Sequence, residues 1–439
     1  MPDCCSDRIV TRPALFLYRD DVSQLAIGNH SHRKFLNMPE IVTPELVGVD
    51  ARRLGRINPW MNEYVDSGRL ESCLTAVMRR GKLIYLDQAG PANAETIFRI
   101  YSMTKPITAA AAMTYFEEAR FQLDDPVSRF LPEFENVLVW DQVGDADDTV
   151  PADIPLQIWH LFSHTSGLIY GNRDDTVIGQ SYLTNNVDFH GLSNRNVETL
   201  AATVSRLATV PLKNQPGTRW EYGVSTDVLG RLIEVIAGKP LDQVFQERIF
   251  DPLGMTDTGF QVPEAKAARL ADMFQRSEGE RTLAEKGDAE SSWVKPVTLF
   301  SGGGGLTSTV GDYLKFCEMI RCKGVFGDAR ILGRRTVELM TMNWMPGGVD
   351  LASMGQPTFS ETSYEGVGFG LGFSIVLDPA AAKGALSVGE VAWGGAASTA
   401  FWIDPVEDIS VVFMTQLMPS SSFPIRRELR SLVYQALVD

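Results

Sequence analysis

Ser102-Met103-Thr104-Lys105 places a hydroxyl and an amine three residues apart. On a helix, positions i and i+3 share a face, so a lysine in apolar surroundings can reach the serine oxygen and make it nucleophilic without a histidine. The same S-x-x-K string recurs at Ser31 to Lys34 and at Ser292 to Lys295. Ser31 lies in a polar, histidine-containing stretch, and Lys295 runs into Pro296 and then a glycine cluster, so neither opens a helix. Ser102 instead leads into the helix formers Ala109 to Ala112, with Pro106 in the first turn, where a missing N–H costs little. The alternative reading of Ser102 is an ordinary helix N-cap.

Two further segments carry chemistry. Gln215-Pro216-Gly217-Thr218-Arg219-Trp220-Glu221-Tyr222 ends a loop before a helix from Ser225 to Ile236 that closes at Gly238. A tyrosine at that boundary packs half-buried, or serves as an acid/base group when a cation such as Lys105 stands beside it. Val391-Ala392-Trp393-Gly394-Gly395-Ala396 ends a strand, and its glycines let a substrate approach backbone N–H groups closely. The N–H groups of Ser102 and Ala396 are the expected oxyanion hole, with Trp393, Gly394 and Gly395 against the substrate; Trp393 as a core residue is the plain alternative.

Other groups compete for a role. His164 with Ser163 or Ser166 offers a serine-histidine triad, but the chain has no G-x-S-x-G elbow. Gly302 to Gly305 lacks a Gly-Lys-Ser/Thr ending and reads as a tight turn before a helix capped near Thr309, rather than a phosphate cradle. Cys4, Cys5, His30 and His32 match no zinc spacing, and no metal or cofactor is expected.

These groups need a large frame. The 439 residues carry a formal charge of −15 and are 44% hydrophobic. That charge argues against nucleic acid or an anionic membrane as partner. No apolar run approaches the roughly 18 residues that span a bilayer, and a signal-peptide pattern is lacking. Five irregularly spaced cysteines fit reduced thiols. A cytoplasmic enzyme acting on a small molecule is expected.

Residues 1–45 read as an extension. A helix follows from Val49 through Ile57, Met61 and Val65, then a hairpin of Leu74 to Met78 and Leu83 to Leu86 turning at Arg80-Gly81. Residues from about 122 to 299 look helical with long loops. Strands return at Phe369 to Leu377, Ser387 to Trp393, Thr399 to Ile403 and Ile409 to Thr415, before a helix from about Pro424 to Val438. The expected fold is α+β: an antiparallel sheet flanked by helices, built from 46–120 and 300–439, with a mainly helical domain, 121–299, inserted. A cleft between them would hold Ser102.

Ser102-Met103-Thr104-Lys105, Tyr222-Gly223-Val224-Ser225 and Trp393-Gly394-Gly395, in that order, together with His160-Leu161-Phe162-Ser163-His164-Thr165-Ser166-Gly167-Leu168, resemble the class C β-lactamase and penicillin-recognising superfamily, and most closely its family VIII carboxylesterases. The resemblance runs from about Val49 to the C-terminus. It implies a β-lactamase-like fold and a serine esterase acting on short-to-medium acyl esters, with Ser102, Lys105 and Tyr222 catalytic and weak β-lactam hydrolysis in reserve. Val224 stands where those β-lactamases carry asparagine, and Trp393-Gly394-Gly395 replaces Lys-Thr-Gly, which removes the lysine that greets a β-lactam carboxylate. An acyltransferase similar to the fungal statin-pathway enzyme, a β-lactamase or D-amino-acid peptidase, and a non-catalytic binding module remain alternatives. Substrate choice is assigned to the loops 171–196 and 345–364.

Overall fold

Seven strands form one antiparallel sheet: β1 (Cys73–Arg79), β2 (Lys82–Ala89), β3 (Val367–Phe369), β4 (Ser374–Val376), β5 (Val391–Gly394), β6 (Ala400–Asp404) and β7 (Ile409–Met414). Their spatial order is β3-β4-β5-β6-β7-β1-β2, so strands far apart in sequence meet where β7 pairs with β1, Leu74 opposite Met414 and Val77 opposite Val411. Such a computed structural model describes residues 39–187, 195–354 and 364–439. Cys4, Cys5, His30, His32 and the Ser31 to Lys34 string lie outside them. Residues 41–439 form one unit.

The central strands are long apolar runs because both faces of the sheet are covered; every residue of β1, β6 and β7 is buried. The first hairpin turns at Arg80 and Gly81, both at positive φ (52° and 72°), the pair a tight two-residue hairpin demands. On one face α1 (Ala51–Leu54), α2 (Ile57–Asp66) and, from the far end of the chain, a last helix (Ile425–Tyr434) share a core with Val77, Trp402, Val411 and Phe413. Of four further helices, α3 (Thr104–Glu117), α4 (Ile158–Ser163), α5 (Ser225–Ala237) and α6 (Val310–Arg321), α6 packs on β1, β6 and β7 while α3 and α4 both pack on α5; the Ile425–Tyr434 helix is then α7. Helix α6 meets the sheet through Tyr313 against Phe401, ring centroids 5.1 Å apart.

Helix α3 is buried on all sides, Ala109 to Ala112 included, as an apolar helix at the centre of a protein must be. Its small side chains admit neighbours closely: a Cβ on Gly372 (φ +93°) would stand 2.6 Å from the Cβ of Ala109. That contact corrects the strand expected from Phe369 to Leu377. The chain there folds back through Gly370-Leu371-Gly372, making the β3–β4 hairpin. Gly55 and Arg56 likewise divide the expected first helix into α1 and α2. Only Val391–Gly394 of the run from Ser387 is strand. The region expected to be helical also holds two hairpins, Leu138–Trp140 with Thr149–Pro151 and Met273–Ser277 with Glu280–Glu285. No helix among the described residues is long and apolar enough to cross a membrane.

Candidate active site

Ser102 sits in a single 3-10 turn, Tyr101–Met103, that runs straight into α3. It caps nothing with its side chain; no side-chain cap bond closes the start of α3. Tyr101 takes φ +41°, a left-handed conformation that costs a bulky residue energy and persists only where the surroundings impose it. Those surroundings are visible. The Tyr101 ring packs edge-on against Trp293 at 5.5 Å, whose face is stacked by the buried Arg195 guanidinium at 3.6 Å. The Ile100 N–H donates to the Leu306 carbonyl (3.1 Å), and the Tyr313 hydroxyl donates to the Met103 carbonyl (2.8 Å). Ser102 is thereby presented on a braced turn.

Lys105, one turn on, is fully buried. Its Nζ donates to Ser102 Oγ (3.3 Å), to Tyr170 Oη (3.0 Å) and to the Gly303 carbonyl (2.7 Å). Three acceptors match the three protons of an ammonium. Burial alone favours the neutral amine, but the phenol oxygens of Tyr170 and Tyr222 and the Asp227 carboxylate outweigh it and raise Lys105 above the ordinary lysine range. Asp227, on α5, is also buried; burial raises its pKa against the pull of Lys105, and its Oδ1 accepts from the Gly303 N–H (3.0 Å). The Gly302 to Gly305 run is a turn whose carbonyl holds the lysine.

Tyr222 faces the same amine, its ring centroid 4.7 Å from Lys105 Nζ, and its hydroxyl accepts from Trp393 Nε1 (3.1 Å). The His160 to Leu168 segment frames it. His164 lends its carbonyl to the Glu221 N–H (2.8 Å) and its Nδ1 to the Gly223 N–H (3.4 Å), while its ring lies 4.9 Å from that of Tyr222. Burial, helped by Lys105, holds His164 well below the usual histidine range, so it is neutral at pH 7. Ser163 Oγ bonds to the Trp159 carbonyl and Thr165, and Ser166 Oγ to Ser225 and the Leu168 N–H. Neither serine pairs with His164, so the triad alternative has no geometry behind it.

The strand bearing Trp393 ends against the nucleophile turn: a Cβ on Gly395 would stand 2.5 Å from the Ile100 carbonyl oxygen. Ala396 follows, half-buried, inside the turn closed by the Ser398 N–H donating to the Gly395 carbonyl (3.1 Å). The third S-x-x-K string is dispersed in a loop, Ser292 Oγ on Glu285 and Lys295 Nζ on Glu290 (3.0 Å). Among the described residues no cluster of histidine, cysteine, aspartate or glutamate is shaped for a metal.

Compared with known families, residues 57–435 match the one described as Beta-lactamase. The chain belongs to the beta-lactamase family. Within it, an uncharacterised Mycobacterium tuberculosis protein is 35% identical over 375 residues, 82% of this chain and 90% of that one. Esterase EstB of Burkholderia gladioli is 29% identical over 417 residues, covering 89% and 98%. Among solved structures, EstCE1, titled a hydrolase with promiscuous acyltransferase activity, superposes with a TM-score of 0.73 at 29% identity over 88% of this chain and 99% of its own. The beta-lactamase-like fold expected from the three motifs is therefore the fold present.

Of the residues expected from the sequence, Lys105 lies against both Ser102 and Tyr222, and Tyr222 against Trp393; Tyr170, the Gly303 carbonyl and Asp227 stand beside them without having been expected. Tyr170 ends the His160 to Leu168 stretch two residues on, so proximity to that segment was an available signal. Nothing in the sequence marks a glycine carbonyl as a lysine's partner.

Proposed function

We propose that this beta-lactamase-family protein is a serine carboxylesterase that works through an acyl-enzyme on Ser102. The observation that carries the reading is the buried Lys105 Nζ, 3.3 Å from Ser102 Oγ and held there by the Tyr170 hydroxyl and the Gly303 carbonyl. Ser102 Oγ attacks the ester carbonyl while the Lys105–Tyr222 pair takes its proton and hands it to the departing alcohol, so that the ester C–O bond breaks as the acyl–Ser102 bond forms; water then attacks the acyl-enzyme, giving its proton to Tyr222 and releasing the acid and the free serine. The Ser102 and Ala396 N–H groups hold the oxyanion, a donor pair in which losing one member costs about 3–4 kcal/mol of barrier.

The substrate class follows from what lines the site. Tyr222 is surrounded by Trp220, Trp393, Tyr170 and, beyond Trp220, Tyr364. Val224 is buried and Trp393 spends its only donor on Tyr222, so neither greets a substrate carboxylate. Short-to-medium neutral acyl esters fit, and β-lactams are poor substrates. EstB's name and EstCE1's title agree with ester chemistry, and the latter keeps acyl transfer as a second reading. The free thiols Cys73 and Cys317 suit a reducing, cytoplasmic setting.

The test is turnover of a p-nitrophenyl ester series beside a chromogenic cephalosporin, with an added alcohol as competing acceptor. Esterase activity that vanishes in Ser102→Ala, with little cephalosporin turnover, is expected. New ester dominating at low alcohol concentration would assign transfer instead, and ester hydrolysis undiminished in Ser102→Ala would end the proposal.

A further inference from the structure

The two glycines after Trp393 are each pressed from a different side. A Cβ on Gly395 would strike the Ile100 carbonyl just before the nucleophile turn, whereas a Cβ on Gly394 would stand 2.5 Å from Nη2 and 2.8 Å from Nε of Arg426. Arg426 belongs to α7, on the opposite face of the sheet from Lys105. Its Nη2 reaches the Gly395 carbonyl (3.4 Å) and the Thr399 carbonyl (3.3 Å). The Thr399 carbonyl also receives the Gly395 N–H (2.9 Å), so one guanidinium nitrogen touches both sides of the turn that carries Ala396.

A trans peptide is planar, and its C=O and N–H point in opposite directions. The Gly395 carbonyl has two anchors, the Ser398 N–H of its own turn (3.1 Å) and Arg426 Nη2 from outside it (3.4 Å), and what holds that carbonyl aims the Ala396 N–H of the same peptide. We infer that Arg426 is a positioning residue for the oxyanion hole: from behind the sheet it holds the Gly395–Ala396 peptide so that the Ala396 N–H faces the reacting carbonyl. This rests on the reading above that the Ala396 N–H is an oxyanion donor. Charge-assisted bonding to the carbonyl also polarises the amide and strengthens its N–H as a donor.

Arg426 lines a cavity of about 580 Å³ shared with Gly394, Ala400 and Ser420, wide enough to admit a small guanidinium ion. That permits a decisive test. The wild type, Arg426→Lys and Arg426→Ala are compared on a p-nitrophenyl ester and on its thionoester, whose sulfur is a weaker acceptor for the same N–H groups. The wild type is expected to prefer the oxygen ester strongly. Arg426→Ala should lose about ten- to hundredfold in kcat at nearly constant KM, with the preference shrinking in parallel. Arg426→Lys should fall between, and it serves alone if Arg426→Ala does not fold, since the oxygen-to-sulfur ratio is independent of the folded fraction. Millimolar methylguanidinium should restore part of the Arg426→Ala rate. A wild type indifferent to sulfur would overturn the oxyanion reading itself. A discriminating wild type whose variants keep full discrimination, or lose both substrates equally, would overturn the role of Arg426 alone.

Discussion

At the scale of single residues, the decisive feature is that Lys105 has three acceptors and no exposure, so its charge is spent on geometry rather than on solvent. Lys105→Met keeps the volume and removes all three bonds; kcat is expected to fall by about 10²–10⁴ with the fold retained, read by ester turnover per active site and circular dichroism. Tyr170→Phe removes one of the three, and a smaller loss, about tenfold, is expected in the same assay. A Tyr170→Phe enzyme as impaired as Lys105→Met would mean that the phenol itself handles the proton. The neighbourhood of Ser102, Lys105, Tyr222 and Trp393 was legible because each side chain carries acid, base or donor chemistry within a distinct motif. The Gly303 carbonyl was not, since every residue owns a carbonyl and only the fold decides which one meets an amine.

At the scale of elements, the site depends on loops pinned by buried charge. Lys213 lies between Asp174 (2.6 Å) and Glu221 (3.2 Å), all three almost fully buried. This ties the segment after Tyr170 to the residue before Tyr222. Lys213→Met would leave two buried carboxylates without their cation, and a loss of about 3–5 kcal/mol is expected, measured as a lower unfolding midpoint in denaturant. The first hairpin was readable because Arg80-Gly81 is a turn signal between two apolar runs. Glu278-Gly279 is the same signal, with positive φ at both residues (52° and 91°). It was obscured because its flanking strands are polar and mostly exposed, lacking the apolar alternation that marks a strand. The β3–β4 hairpin was hidden for the opposite reason: its turn is itself apolar and buried against α3, so Phe369 to Leu377 reads as one continuous strand.

At the scale of the whole molecule, the sheet drawn from both chain ends and the α+β class were legible, because a buried antiparallel sheet leaves long apolar runs that helices interrupt. Which helices cover which face was not, since that depends on long-range pairing. The same burial sets a pH response. His160 is pushed down to about 4 by burial, and burial with the nearby Lys105 holds His164 well below the usual histidine range, so both are neutral in the folded protein at pH 7. Below the unfolded value near 6.5 the unfolded chain takes up protons that the folded one refuses. Stability should therefore decline as pH drops from about 6.5 toward about 4, by up to ~1.4 kcal/mol per pH unit for each histidine, and His160→Gln should flatten the decline. A thermal midpoint constant across that window would contradict the neutral, buried state of these rings.

The central claim is that Ser102 becomes covalently acylated because Lys105 stands beside it. Intact-protein mass spectrometry after rapid quenching of an ester reaction tests it directly. One acyl group should be found, located by peptide mapping to Ser102, and its appearance should be slowed strongly in Lys105→Met. An adduct on another residue, or acylation of Ser102 at the wild-type rate without the lysine, would contradict the account.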